Sequence, residues 1–475
     1  MKNYIKLLSQ SLPVILSLYL VYGSVAYAQS EVQTAYTAVT LQQAVQTSLS
    51  GNREFISLIR NAELAGIDIE TARAEFGTRF QPSFSTDSRL GTDIGQSYNL
   101  NINKKFKNSL QVSLNSGTSV FNNSYLSEVN LQFTQPLLKG RGRLAATSGL
   151  ASAQSSNERQ GYMRTAAEEE LIFNVIRGYY QVVLHAESIE VQKKALERAG
   201  VLLNSSAAKL EAGLVSKMDV FRAEIQLFQA KENLENAEDL YANARDILVT
   251  LLGLPTGTEL DVVPELQYSL PDIEEEILVG IAHENRAEMK DAKRYVRSER
   301  RNLKVTENNA LPPLDLTVKV SRLGRGTTFG ESAELDETRV GIGITSSTDL
   351  WMTVEKANYR KAMIAYKNSL RSRDDVRDKI TREVRENIRQ LESGFRRIEL
   401  RKKRLEGVEN QSAYALIRYR KGLGDNLEVV DAEKQLVDAR NGLTAAIVEY
   451  IIAENRLLKV TGMLTGKWKD VSVNE

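Results

Sequence analysis

A chain of 475 residues is long enough for three ordinary domains at roughly 150 residues each. With 42% apolar and 26% charged residues it is neither a disordered segment nor a bundle of membrane-spanning helices, and 62 basic against 61 acidic residues exclude a polycationic nucleic-acid binder. The absence of cysteine removes disulfides, thiolate metal sites and cysteine nucleophiles, and His185 and His283 alone supply imidazole, so the composition points away from an enzyme and no metal or cofactor is expected.

The chain opens with Lys2 and Lys6, an apolar run from Ile15 to Val21, and the small-x-small sequence Ala26-Tyr27-Ala28. This is the pattern of a cleavable export signal over residues 1–28. The run is shorter than the about 20 residues a spanning helix needs, and no later stretch reaches that length. Any membrane crossing must therefore use strands.

A helix is expected next, then a hairpin over 80–135, with strands of about 80–103 and 109–135 turning near Lys104 to Asn108. Tyr98, Leu100 and Ile102 alternate there with asparagines, and Val129, Leu131 and Phe133 alternate with Asn130, Gln132 and Thr134. Such period-two alternation is how a barrel separates its lipid face from its lumen, and also how a half-buried soluble sheet is built. Long helices follow at 145–211 and 215–252. Val220, Leu227, Leu234, Tyr241 and Leu248 recur every seven residues, interleaved with Ala223, Ala230, Ala237 and Ala244. A strict 3.5-residue period of large residues facing alanines means closely packed, supercoiled helices. The 145–211 helix would be about 100 Å long at 1.5 Å per residue.

After a proline-marked linker at 258–272 the pattern returns over 273–466, leaving a tail at 467–475. AGLVSKMDVFRAEIQL at 212–227 is answered by KGLGDNLEVVDAEKQL at 421–436, an offset of 209 that holds without a gap as far as Gly253 and Gly462. Upstream, Asn52-Arg53 answers Asn285-Arg286 at an offset of 233, so the second copy is 24 residues shorter, with the loss between residues 54 and 129. The chain is a tandem duplication, with repeat one at 29–257. Repeat two predicts a helix, a second hairpin at 314–347 (strands about 314–322 and 337–347, joined by Leu323 to Glu331) and helices at 351–421 and 425–463. Four strands cannot close a barrel, and open strand edges are not tolerated in lipid. Membrane strands here imply a homo-oligomer and an α+β membrane protein: four transmembrane strands and long coiled-coil helices per chain.

An export signal, two copies of hairpin-plus-long-helices, Gln135-Pro136-Leu137-Leu138, Gly213-Leu214 with Asp219 and Ala223-Glu224, and Tyr419 with Gly422 and Asp431-Ala432-Glu433 resemble the TolC-like outer membrane efflux proteins. The resemblance implies a homotrimer with a twelve-stranded outer-membrane barrel in lipid, continued by a helical tunnel across the periplasm. It also implies a periplasmic adaptor and an inner-membrane pump as partners. The adaptor would meet the helix-hairpin tips at Gly213, Leu214, Gly422 and Leu423. Residue by residue, it places a closing aperture at Asp219, Glu428 and Asp431, with Tyr419 nearby. Where such apertures carry an arginine two residues past the second tip glycine, this chain has Gly424, which leaves Arg420 or Lys421 to supply the cation. Ser346-Ser347-Thr348-Asp349-Leu350 likewise replaces the Pro-Leu or Pro-Phe ending usual at the second strand exit.

Plainer roles stand beside these. Asp219 and Asp431 are also the acids expected at helix N-termini. His185 falls on the heptad seam as a packed residue. Thr461 to Trp468 has the wrong spacing for a phosphate loop. Arg396, Arg397 and Arg401 to Arg404 lie among acids as a solvated helix face without nucleic acid. A periplasmic adaptor or a structural envelope coiled coil remains the alternative. An adaptor normally has one helical hairpin rather than two, and a bare coiled coil lacks alternating strands.

Overall fold

The computed structural model describes residues 38–87, 95–264, 266–269, 274–349 and 351–469; the export signal expected at 1–28, Pro271 and Leu350 lie outside them. In chain order the elements are α1 (Leu41–Gly51), α2 (Arg53–Ala74), β1 (Thr78–Asp87), β2 (Gly95–Lys105), β3 (Gln111–Phe121), β4 (Ser124–Pro136), a short α3 (Gly142–Ala146), α4 (Ser148–Glu211) and α5 (Lys217–Leu252). The second copy gives α6 (Glu275–Asn285), α7 (Ala287–Asn309), β5 (Asp315–Gly326), a short α8 (Phe329–Ala333), β6 (Glu337–Thr345), α9 (Thr353–Arg420) and α10 (Asn426–Val460), then α11 (Leu464–Lys469).

The strand count corrects the expectation of four. Each of the two long strands expected before α4 is broken, so six antiparallel strands form one sheet in the order β1-β2-β3-β4-β5-β6. The reason is local. Asn122 and Asn123 both take left-handed backbone angles (φ 46° and 59°), which is the two-residue turn that joins twisted strands, and it splits 109–135 into β3 and β4. Strands of 9 to 13 residues result, the length that a tilted strand needs to cross a bilayer.

Register makes the sheet two-faced. One row runs Phe80, Ile102, Leu114, Leu131, Val320, Val340 across all six strands. The adjacent row, on the opposite face, runs Gln81, Asn101, Asn115, Asn130, Ser321, Arg339. Because side chains alternate faces along a strand, the same face continues at every second residue, to Phe84 in β1, Tyr98 in β2 and Ile342 in β6, with Ser116, Arg322 and Thr338 interspersed on it. Phe80, Val340 and Ile342 are 66%, 68% and 75% exposed in the single chain, while farther along the same face α8 packs over the sheet, Ser332 sharing a 3.0 Å hydrogen bond with Ser127 and lying against Gly324.

The helices form a row four wide at every level. Next to the sheet the neighbours run α2, α4, α7, α9; farther away they run α5, α4, α10, α9. At 64 and 68 residues, α4 and α9 are about 96 and 102 Å long. The alanine seam is where the long helices meet: Ala223, Ala230, Ala237 and Ala244 of α5 are buried, as are Ala432, Ala439 and Ala446 of α10. With a methyl group on one side, two helix axes can approach closely, as where Val384 and Leu391 of α9 share a buried cluster with Ala446 of α10. Mid-length, Tyr179 donates to the carbonyls of Val39 and Val263 at 3.1 and 2.7 Å, tying the segment before α1 and the linker to α4.

Candidate functional site

Both long-helix hairpins turn by the same device at the end remote from the sheet. In the first, Gly213 N–H donates to Leu210 and Leu214 N–H to Lys209; in the second, Gly422 N–H donates to Tyr419 and Leu423 N–H to Arg418. These paired bonds satisfy the last helical carbonyls and need a left-handed residue, which glycine supplies at φ 71° and 75°. The turn pushes one leucine outward from each tip: Leu214 and Leu423 are 73% and 67% exposed.

The acids divide by role. Ser216 caps α5 and Asp219 reaches back to it, accepting from the Ser216 backbone N–H at 3.0 Å and its hydroxyl at 2.7 Å. Those bonds hold the Asp219 carboxyl below its ordinary range, and Arg222 at 3.6 Å acts in the same direction. In α10 the cap is Asp425, which accepts from Glu428 N–H at 3.0 Å. Glu428 is thus the counterpart of Asp219, 209 residues on. Asp431 sits one turn deeper, exposed on α10, and its carboxylate makes no hydrogen bond or ion pair among the described residues. Of the two acids expected as helix caps, Asp219 takes that role and Asp431 does not.

Within the single chain the cation paired with Glu428 is Arg418. Its guanidinium lies 3.5 Å from the Glu428 carboxylate and donates to the Leu423 carbonyl at 2.9 Å. Gly424 explains the arrangement: a β-carbon there would lie 2.9 Å from Glu428 Oε2 and 3.3 Å from the Arg418 side chain. The space of a side chain at that position is taken by the ion pair. Arg420 is exposed beside Glu433 and Lys434, in the groove above α4 and α10, away from Asp219 and Glu428.

Contacts between the two hairpins lock the tip. Tyr419, 2% exposed, shares a 2.7 Å hydrogen bond with the buried hydroxyl of Ser206 in α4. Lys209 of α4 lies over the Tyr419 ring at 3.8 Å and donates to its carbonyl. Asn426 of α10 donates to the Asp219 carbonyl at 2.7 Å, and Glu433 of α10 takes Arg198 of α4 at 2.5 Å and Ser412 of α9 at 2.9 Å. Beneath these, Leu202, Ala223, Ala415, Tyr419, Val429 and Ala432 form one apolar cluster drawn from α4, α5, α9 and α10. Sequence reasoning found Tyr419 but missed Ser206, Lys209, Arg418 and Asn426. The duplication aligns each hairpin with its copy and carries no signal of which residues meet across the two.

Both histidines lie outside the tip contacts. Burial pushes His185 below its ordinary value on α4, and His283 bonds Thr381 at 3.1 Å. Among the described residues no group of His, Asp or Glu is gathered so as to hold a metal ion, and no helix is long and apolar enough to cross a membrane.

The chain matches the family described as "Outer membrane efflux protein" over residues 58–254 and 278–463, one match on each copy of the duplication. It is 20% identical to the probable efflux pump outer membrane protein TtgC of Pseudomonas putida over 455 residues, 94% of this chain and 87% of the relative. With the alkaline protease secretion protein AprF of Pseudomonas aeruginosa it shares 23% identity over 72% of this chain and 70% of that one. The outer-membrane channel OprN shares the fold, with a TM-score of 0.71 at 18% identity over 90% of each chain.

Proposed function

Because this chain belongs to the outer membrane efflux protein family, we propose that it is a passive outer-membrane channel-tunnel, assembled as a homotrimer, exported by a cleaved signal and closed at its helical tips. It is the outer component of a tripartite efflux or type I secretion system. The observation that carries this reading is the two-faced sheet: an apolar face six strands wide, continuous with helices of about 100 Å that can cross a periplasm. The sheet's edges β1 and β6 are unpaired in the single chain, which lipid does not tolerate, so further copies must cover them. Phe221, Ile225 and Phe228, at helical spacing on α5 and more than half exposed, supply a second seam for a neighbouring copy.

The tips carry the gate and the docking surface. Leu214 and Leu423 offer the apolar contacts a periplasmic adaptor would bury, and an inner-membrane pump working through that adaptor supplies the energy. Closure rests on Tyr419, Glu428 and Asp219 in the contacts described above; Asp431 and Arg420 stand outside those contacts. The relatives' names span pump-driven efflux and protease secretion, so cargo is the property to be measured. Deleting the gene from its host should raise accumulation of toxic organic compounds or abolish release of a secreted polypeptide, with rescue by the intact chain. A deletion strain unchanged in both would overturn the reading.

A further inference from the structure

The hairpin that the sequence did not disclose has a consequence for the membrane wall. All six strands carry the same two faces in unbroken register, so the added pair is built as wall and not as a soluble appendage. The 24 residues by which repeat one exceeds repeat two are about the length of one such hairpin, since β1 and β2 have 10 and 11 residues. β1 and β6 are exposed throughout, 10 and 9 residues long, and antiparallel to each other because the strand number is even. Joined between copies, they continue the same alternation: Phe80 and Phe84 lie on the face of Val340 and Ile342, Ser83 and Ser85 on the face of Gly341 and Gly343. Pro82 withholds one N–H from the sheet; the other positions of β1 keep theirs.

Widths agree independently of copy number. Four helices side by side at 8–10 Å occupy about 32–40 Å of circumference per chain. Six strands spaced about 4.8 Å and tilted 40–45° occupy about 38–41 Å, whereas four would occupy only about 25–27 Å. A six-strand contribution therefore sits on the helical row without a step.

We propose, resting on the homotrimer reading, that three copies close an eighteen-stranded barrel through β1–β6 seams, in place of the twelve strands implied by the family resemblance. The backbone radius then rises from about 12–13 Å to about 18–20 Å, which more than doubles the cross-section of the outer-membrane mouth. The cargo class this favours is bulky: polypeptides or large amphiphiles, for which a twelve-stranded mouth would be the tightest point of the open path.

Electron cryo-microscopy of the unmodified protein in lipid nanodiscs counts the strands. Cysteine cross-linking identifies the seam, and the chain's lack of cysteine makes it clean. One cysteine at Gln81, Ser83 or Ser85 is combined with one at Arg339, Gly341 or Gly343, and Asn115→Cys in β3 with the same β6 positions serves as control. The expected result is eighteen strands, covalent trimers from β1–β6 pairs and none from β3–β6 pairs. A twelve-stranded trimer linked from β3 to β6, with β1 and β2 off the wall, overturns the inference and leaves the channel reading intact. A particle that is not a trimer overturns the homotrimer and this inference together.

Discussion

Tyr419→Phe removes one oxygen from a site where it makes a buried bond between the two hairpins. Ser206 is fully buried, so the variant leaves its hydroxyl without the 2.7 Å partner and without water. An unsatisfied buried hydroxyl costs about 1–3 kcal/mol, which for a local opening equilibrium is about a 5- to 150-fold change per chain. Ser206→Ala should cost a similar amount by orphaning the tyrosine. The double variant should cost less than the sum of the singles, because it leaves neither group unpaired. Lys209 and the surrounding apolar cluster remain, so the chain should still fold. Hydrogen exchange suits the assay, since it reads local opening segment by segment. Amides of 202–216 and 412–426 should exchange faster by that factor in Tyr419→Phe, while those of α4 near Tyr179 stay unchanged. Equal exchange at the tip in wild type and variant would refute the claim that this bond holds the hairpins together.

Replacing Ala230 or Ala439, 3% and 4% exposed, with leucine should overpack the helix seam by about 1–3 kcal/mol per chain, seen as a lowered melting temperature; unchanged melting in both would mean the alanines do not face a helix. Glu169 on α4 is pushed up to about 7, first by burial and then by the Glu288 charge. Its folded form therefore binds the proton more tightly than the unfolded form, and its contribution to stability falls as pH rises between about 4.5 and 7. Glu169→Gln should melt higher than wild type at pH 8, with the gap closing toward pH 4.5. Arg418→Ala breaks a half-exposed ion pair worth about 0.2–1 kcal/mol, so open-channel events in planar bilayers should become modestly more frequent, and less so at high salt.

The long helices were legible because a seven-residue period repeated over many turns leaves no other way to bury its apolar stripe. The tip turns were equally legible: Gly213 and Gly422 sit at matched places, and the left-handed angle each adopts is one that glycine alone takes freely. The sheet was legible in its alternation but not in its count. The apolar positions change parity at the turn, even in β3 (Val112, Leu114, Val120) and odd in β4 (Tyr125, Val129, Leu131), and that single shift is easily passed over unless Asn122-Asn123 is recognised as a left-handed pair. At the tip, types were easier than partners. Acids after a Gly-Leu turn are visible in the text, yet Arg418 rather than Arg420 reaches Glu428 because the two helical steps between them, about 200°, put them on different sides of α9. Ser206 and Lys209 lie more than two hundred residues from Tyr419, and no periodicity connects positions that far apart.

The central claim is that sheet and helices enclose one continuous passage closed at the tips. Single-channel recording of the purified mature protein in a planar lipid bilayer tests it most directly, with wild type compared against the combined variant Tyr419→Phe, Arg418→Ala, Asp219→Ala. The account predicts discrete steps of small conductance in wild type and clearly larger, longer-lived steps in the combined variant. Incorporated protein that gives no discrete conductance in either form, or steps identical in both, would contradict it.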